Sequence, residues 1–386
     1  MNVSELKSEF IKRYGEGPVA GFFAPGRVNL IGEHTDYNGG FVFPCALSFG
    51  NYCLIRKTGR PTVMFASLNM DFEAEVSLDN LDKPVGKEWV NYPIGVFAQF
   101  LKKGIRFTEG ADMLFYGDVP PGAGLSSSAA IEVVTGVAIN EMYGVGLPRV
   151  EIVKMAQKAE HEFAGVMCGI MDQFASGMGA KDHAVYLNCD TLDYELVPLK
   201  LDGVKIVIAN TNSPHKLDSG KYNERVRECH AAVDALKPYK NIVQLADIQV
   251  DEFEALKDHI KDETVMRRAR HVVTEIDRTR RAVDYLKEGN VEAFGKLMLA
   301  SHHSLRDDYE VTGPELDAMF EAAVKEDGVI GTRMTGGGFG GCTVSLVKNE
   351  AVDEFISRVG AEYKAVTGLT PQFYVAETGD GGKRLF

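Results

Sequence analysis

The chain has 386 residues, long for one compact core and comfortable for two, and its 45% hydrophobic and 25% charged residues are an ordinary balance for a folded protein. A net charge of −13, from 42 basic and 55 acidic residues, argues against nucleic acid or a membrane surface as partner, so any phosphate must be held by a local site. Six scattered cysteines without a C-x-x-C pair exclude a disulfide framework and a zinc cluster and leave reduced, buried thiols.

The amino-terminal MNVSELKSEFIKRYG is amphipathic and charged, without the apolar centre of a signal peptide. No apolar run reaches the ~18 residues of a membrane span, so a cytoplasmic protein is expected. After this first helix VAGFFA reads as a strand. Residues 24–40, APGRVNLIGEHTDYNGG, then crowd Arg27, Asn29, Glu33, His34 and Asp36 into a stretch that glycines and a proline keep from being a plain helix or strand. FVFPCALSFGNYCLIRK, PTVMFASLN and DFEAEVSL return to β character, residues 89–103 have helical spacing, and ADMLFYGDVP is a strand.

That strand runs into PPGAGLSSSAA, residues 120–130. Prolines turn the chain, glycines leave backbone N–H groups uncovered, and serines open a helix that is apolar nearly all round to residue 143 and therefore buried. Helix N-termini carry unpaired donors and partial positive charge, which suits phosphate. No G-K-[ST] follows, so this is not a Walker loop, and a serine-capped helix with a glycine-rich entry fits the same residues.

RVEIVKMAQKAEHEFAG is a second helix, on whose apolar face Glu160 falls in register with Val153, Ala156 and Phe163. An inward carboxylate needs a cation or strong donors, and a buried ion pair with an arginine would meet that need. Asp172, in GIMDQFAS, follows the glycine-broken end of that helix, where it could cap the next one. AVYLNCD, YELVPL and VKIVIANT are strands, residues 221–325 are helix-rich and charged, and GTRMTGGGFGG leads into the strand CTVSLV, a helix over 352–366 and the strand PQFYVAE. GGGFGG fits G-x-G-x-x-G, but it precedes a strand where a dinucleotide loop would open a helix, so the Rossmann reading is rejected. RRARH, residues 267–271, reads as a solvated helix face, residues 239–290 as scaffold, and His302 and His303 have no evident role. Strands and helices mix without regular βαβ alternation, which predicts two α+β domains, 1–200 and 201–386.

P-x-G-x-G-L-x-S-S-A-A on a strand-to-helix turn resembles the ATP-binding motif of the GHMP small-molecule kinases. The 24–40 segment, this loop, CGIMDQF and TGGGFGGC agree with that superfamily in order, and GRVNLIGEHTDYNGG resembles its galactokinase branch. The resemblance covers essentially the whole chain. It implies a mixed-sheet N-terminal domain, a ferredoxin-like antiparallel C-terminal domain, and a site in the cleft between them. The activity implied is ATP-dependent phosphorylation of galactose at its C1 hydroxyl, which opens galactose catabolism, with Mg²⁺ and no obligate protein partner.

By the same resemblance Asp172 is the catalytic base and Arg27 the cation beside it, where a surface salt bridge is the ordinary alternative for an arginine. Ser128 and Glu160 hold the metal. Gly122, Ala123, Gly124, Leu125, Ser126, Ser127 and Ser128 cradle the phosphates, with Ser67 and Trp89 at positions that flank adenine; Trp89 also suits a core. Glu33, His34, Thr35, Asp36, Gly169 and Tyr222 line the sugar site, and Asn29 is expected to hold its loop through backbone hydrogen bonds. Two alternatives stay open: a kinase for a related sugar, and a galactose- and ATP-binding sensor on the same fold. The intact SSSAA favours catalysis.

Overall fold

The computed structural model describes residues 1–120, 123–213 and 219–386; Pro121 and Gly122 of the predicted phosphate loop lie outside them. The strands are β1 (Ala20–Asn29), β2 (Phe41–Val42), β3 (Pro44–Lys57), β4 (Thr62–Ser67), β5 (Ala74–Ser77), β6 (Ala111–Gly117), β7 (His183–Asn188), β8 (Tyr194–Pro198), β9 (Val204–Asn210), β10 (Val329–Thr335), β11 (Cys342–Lys348), β12 (Gln372–Ala376) and β13 (Lys383–Arg384).

Six of them form a mixed sheet in the order β13-β1-β3-β6-β4-β5, in which only β4 and β6 run parallel. Helices Ser127–Met142 and Met171–Met178 pack on it. β2, β7 and β8 make a small antiparallel sheet. The second half builds an antiparallel sheet in the order β10-β11-β9-β12, the ferredoxin-like arrangement. The two α+β halves are therefore as expected, but they are not cleanly parted. β13 returns to β1, pairing Phe22 with Arg384, and one core joins Val28, Leu30 and Phe43 to Ile208, Met298 and Val344.

β1 corrects the sequence reading. The strand does not stop at residue 24 but continues to Asn29, buried throughout. A register shift between Pro25 and Arg27 absorbs the proline, which cannot donate to the ladder. Gly26 has no side chain because a Cβ there would stand 2.6 Å from the Leu125 carbonyl oxygen. Sheet and phosphate loop thus meet backbone to backbone, and Arg27 is fired from a rigid strand. The helix Ser127–Met142 is buried as its apolar circumference predicts.

RRARH also departs from expectation. On helix Glu263–Lys287, Arg268 and His271 are buried while Arg267 and Arg270 remain partly exposed. The spacing of three places Arg268 and His271 on the inner face. There Arg268 is held by Glu228 at 3.0 Å and Glu310 at 2.6 Å. His302 is likewise internal: its ring stacks on Phe320, and Nδ1 accepts the Met334 N–H of β10 at 3.1 Å.

Candidate active site

A cavity of about 380 Å³ opens where β1, the glycine–serine loop, the 160–172 segment, helix Ser219–Leu236 and the β10–β11 loop converge. At its floor Arg27 grips Asp172 with two hydrogen bonds, Nε to Oδ1 at 2.8 Å and Nη2 to Oδ2 at 2.9 Å. The third nitrogen, Nη1, donates to the Gly124 carbonyl at 2.7 Å. This is the bidentate fork a planar guanidinium favours, buried rather than at the surface. Asp172 is not the cap of its helix; it is the second residue of Met171–Met178, in the first turn, where the helix dipole favours negative charge.

The loop above supplies one wall. Ser126 sits in the left-handed region, φ 61°, which a non-glycine residue adopts at a cost and which is frequent at functional sites. That turn aims its hydroxyl not at the helix but at Asp172 Oδ2, 2.5 Å away. Asn51 of β3 holds the loop by donating to the Ser127 carbonyl at 2.8 Å. Ala123, Gly124, Leu125, Ser126, Ser127 and Ser128 all line the cavity, with the uncapped head of the buried helix among them.

Glu160 stands beside them, at the point where helix Arg149–Ala159 widens into a π-helical turn, Glu160–Ala164. No arginine reaches it among the described residues. Its Oε2 accepts from the Gln173 amide at 2.5 Å and lies 3.6 Å from Cys168 Sγ, and its carboxylate also meets the Ser128 hydroxyl. Burial first, then the nearby charge of Asp172, pushes Glu160 up to about 7. No set of three or more His, Cys, Asp or Glu side chains is arranged to hold a metal among the described residues. A desolvated carboxylate beside a hydroxyl and a phosphate loop nevertheless fits Mg²⁺, which takes one or two protein oxygens and completes its shell with phosphates and waters.

The opposite wall is polar and locked. Glu33 Oε2 is 2.8 Å from Arg333 Nη2 and accepts from Asn29 Nδ2; Oε1 accepts the Gly336 N–H at 2.6 Å. Burial pushes the Glu33 carboxyl up, against the pull of Arg333. Arg333 is wholly buried on β10 and also donates to Ser301 at 3.1 Å. Beneath it Glu275 accepts from Gly32 N–H at 3.0 Å and Ser301 Oγ at 2.6 Å, and pairs with Arg278 at 2.7 Å. Burial alone would raise Glu275, but Arg278, His271 and Arg333 outweigh it and hold it at about 2.

His34 also has a left-handed backbone, φ 62°. Its Nδ1 is 2.8 Å from the Tyr37 hydroxyl, which is 2.7 Å from that of Tyr309. Burial, followed by the charges of His271 and Arg225, pushes the ring down to about 3, so it is neutral. Burial and Asp172 push Asp36 up to about 7. Gly169 is a glycine for a definite reason: a Cβ there would lie 1.9 Å from Asp36 Oδ2. Tyr222 closes this side, its ring 5.6 Å from that of His34. Asn29 Oδ1 accepts the Phe43 N–H at 3.2 Å, the backbone bond expected of it.

Three expected site residues are not in the cavity. Thr35 is buried, with its hydroxyl spent on the carbonyls of Gly32 and Phe41 at 2.9 and 2.7 Å, so it shapes the loop. Trp89 packs edge-on against Phe115 of β6 and donates to the Phe72 carbonyl at 2.8 Å. Ser67 ends β4 and accepts the Asn69 N–H at 3.1 Å. Arg333, Glu275, Gln173 and the Ser126–Asp172 bond were not anticipated. Only Gln173 had a local signal, its place directly after Asp172.

A two-domain fold with a glycine–serine loop at the head of a buried helix defines a GHMP-type kinase, and family models agree: GHMP kinases N terminal domain over residues 91–180 and GHMP kinases C terminal over 282–365. The galactokinase galactose-binding signature matches residues 8–57. A galactokinase from Fusobacterium nucleatum subsp. nucleatum is 52% identical over 96% of this chain and 96% of its own length. One from Bacillus subtilis is 49% identical over 99% and 98%. The crystal structure of Lactococcus lactis galactokinase complexed with galactose matches with a TM-score of 0.97 at 43% identity, covering 99% of this chain and all of that one. The chain belongs to the galactokinase family of GHMP kinases. It is therefore a sugar kinase with ATP as co-substrate.

Proposed function

We propose that the chain transfers the γ-phosphoryl group of ATP to the C1 hydroxyl of α-D-galactose, giving α-D-galactose 1-phosphate and ADP. The observation that carries this reading is the Arg27–Asp172 pair at the meeting of the two walls, tied to the phosphate loop through Gly124 and Ser126. Phosphoryl transfer needs little covalent help from a protein; it needs alignment, charge neutralisation and a group to receive the acceptor's proton.

Asp172 takes that role. An anomeric hydroxyl is more acidic than an ordinary alcohol, so a carboxylate suffices as its base. Arg27 and the Ser126 hydroxyl hold the Asp172 oxygens in place, and the Arg27 charge stabilises the oxyanion forming at C1. Backbone N–H groups of residues 123–128 and the helix head cradle the phosphates. Ser128 and Glu160 would hold Mg²⁺, which when bound neutralises phosphate charge. Glu33, His34, Asp36, Gly169 and Tyr222 face the sugar hydroxyls, whose stereochemistry demands donors and acceptors of fixed direction.

ADP release measured with galactose, N-acetylgalactosamine, arabinose and a uronic acid tests the reading. Galactose is expected to give the highest kcat/KM. Preference for another sugar overturns the substrate assignment, and galactose binding without ADP release overturns the enzymatic one.

A further inference from the structure

Asp172 lines the cavity, while the next residue, Gln173, does not and is wholly buried. Its Nε2 lies 2.5 Å from Glu160 Oε2 and 3.1 Å from Oε2 of Glu132, which is also wholly buried. Glu132 lies one helical turn beyond Ser128, on the same face of helix Ser127–Met142. Three helix segments therefore meet twice. At the cavity they bring Ser128, Glu160 and Asp172 together; behind it they bring Glu132, Glu160 and Gln173 together. One oxygen of Glu132 and the amide oxygen of Gln173 have no hydrogen-bond partner. Burying polar atoms unpaired is costly, so packing alone would favour apolar side chains here.

We propose that Gln173, oriented by Glu132, is the positioning residue that fixes the direction of the Glu160 carboxylate. With Oε2 engaged by the Gln173 amide and the Cys168 thiol, Oε1 is the oxygen left for a cation. Mg²⁺ tolerates little departure from octahedral geometry, so the angle of a single protein carboxylate matters. Groups that orient metal ligands typically change metal affinity or activity 10–100-fold when removed. The inference rests on Glu160 being the metal carboxylate.

The experiment uses the full chain with ATP and Mn²⁺, without sugar, and reads protein-bound Mn²⁺ by electron paramagnetic resonance. Gln173→Met keeps the length of the side chain and removes the amide. It is expected to weaken Mn²⁺–ATP binding about tenfold or more, with galactose affinity by calorimetry unchanged. Glu132→Leu is expected to move binding in the same direction and serves if the first variant does not fold. Glu160→Gln is the control. If it weakens binding while both other variants bind as the parent does, the positioning role is overturned and the Glu160 reading stands. If Glu160→Gln binds as the parent does, the Glu160 reading falls, and this inference with it. A lower unfolding temperature with Mn²⁺ affinity retained shows a purely structural role and also overturns the proposal.

Discussion

The two walls of the cavity are built on opposite plans. The wall from residues 123–128 presents backbone and small side chains, with Ser127 exposed and Ser128 half-buried, steadied by Asn51 and Arg27. The wall from residues 33–36 presents ionisable side chains that are themselves interior, Glu33 1% and His34 4% exposed, Glu33 fixed by Arg333 and Gly336 from a distant segment and His34 by Tyr37. A phosphate spreads its charge over several oxygens, so a diffuse field of N–H donors serves it. A sugar differs from its epimers only in the direction of one hydroxyl. Reading that difference needs side chains that cannot turn, which costs the fold a buried ion pair and a left-handed residue, His34.

The contrast can be broken where the walls meet. Asp172→Asn keeps the shape and removes the base; kcat is expected to fall about 10³-fold, within the range of general base catalysis, while both substrates still bind by calorimetry. A loss below tenfold would contradict the assigned role. Behind the polar wall, Arg333→Met leaves the Glu33 carboxylate buried without its ion-pair partner. Unfolding in urea should show a loss of about 3–5 kcal/mol, with KM for galactose raised and KM for ATP unmoved. Equal changes in the two KM values would dissolve the division into walls.

Asp36 sharpens the comparison through pH. The folded protein keeps its proton up to about 7, whereas the unfolded chain loses it near 3.8, so its contribution to stability is full below 3.8 and is lost as pH rises through 7. Asp36→Asn has no proton to lose. Relative to the parent, the ligand-free variant should gain on the order of 2–4 kcal/mol between pH 4 and pH 8; a relative loss would contradict the buried position. His34 pulls the other way, contributing above 6.5 and losing that contribution as pH falls toward 3. Least in size, Ser126→Ala removes the hydroxyl 2.5 Å from Asp172. About tenfold in kcat is expected, with sugar KM unchanged, from a hydrogen bond to a charged group.

The same contrast explains what the sequence revealed. The glycine–serine loop is a local device, so eleven consecutive residues disclose its turn and helix head. Glu160 was legible from helical register. The fold class followed from mixed strands and helices, but β1 ran past its predicted end because a bulge and Gly26 accommodate Pro25. Arg333 and Glu275 could not be read from local pattern, since they meet Glu33 and Gly32 across more than two hundred residues. Thr35 shows the converse: it stands inside the best-matching motif, yet its hydroxyl holds backbone.

The chemistry itself is tested by phosphorus nuclear magnetic resonance of the product formed from ATP and galactose. A phosphate coupled to the anomeric proton of α-galactose is expected, because Asp172 and Arg27 are taken to address the C1 hydroxyl. Phosphate on any other carbon, or ADP formed without a sugar phosphate, would contradict it.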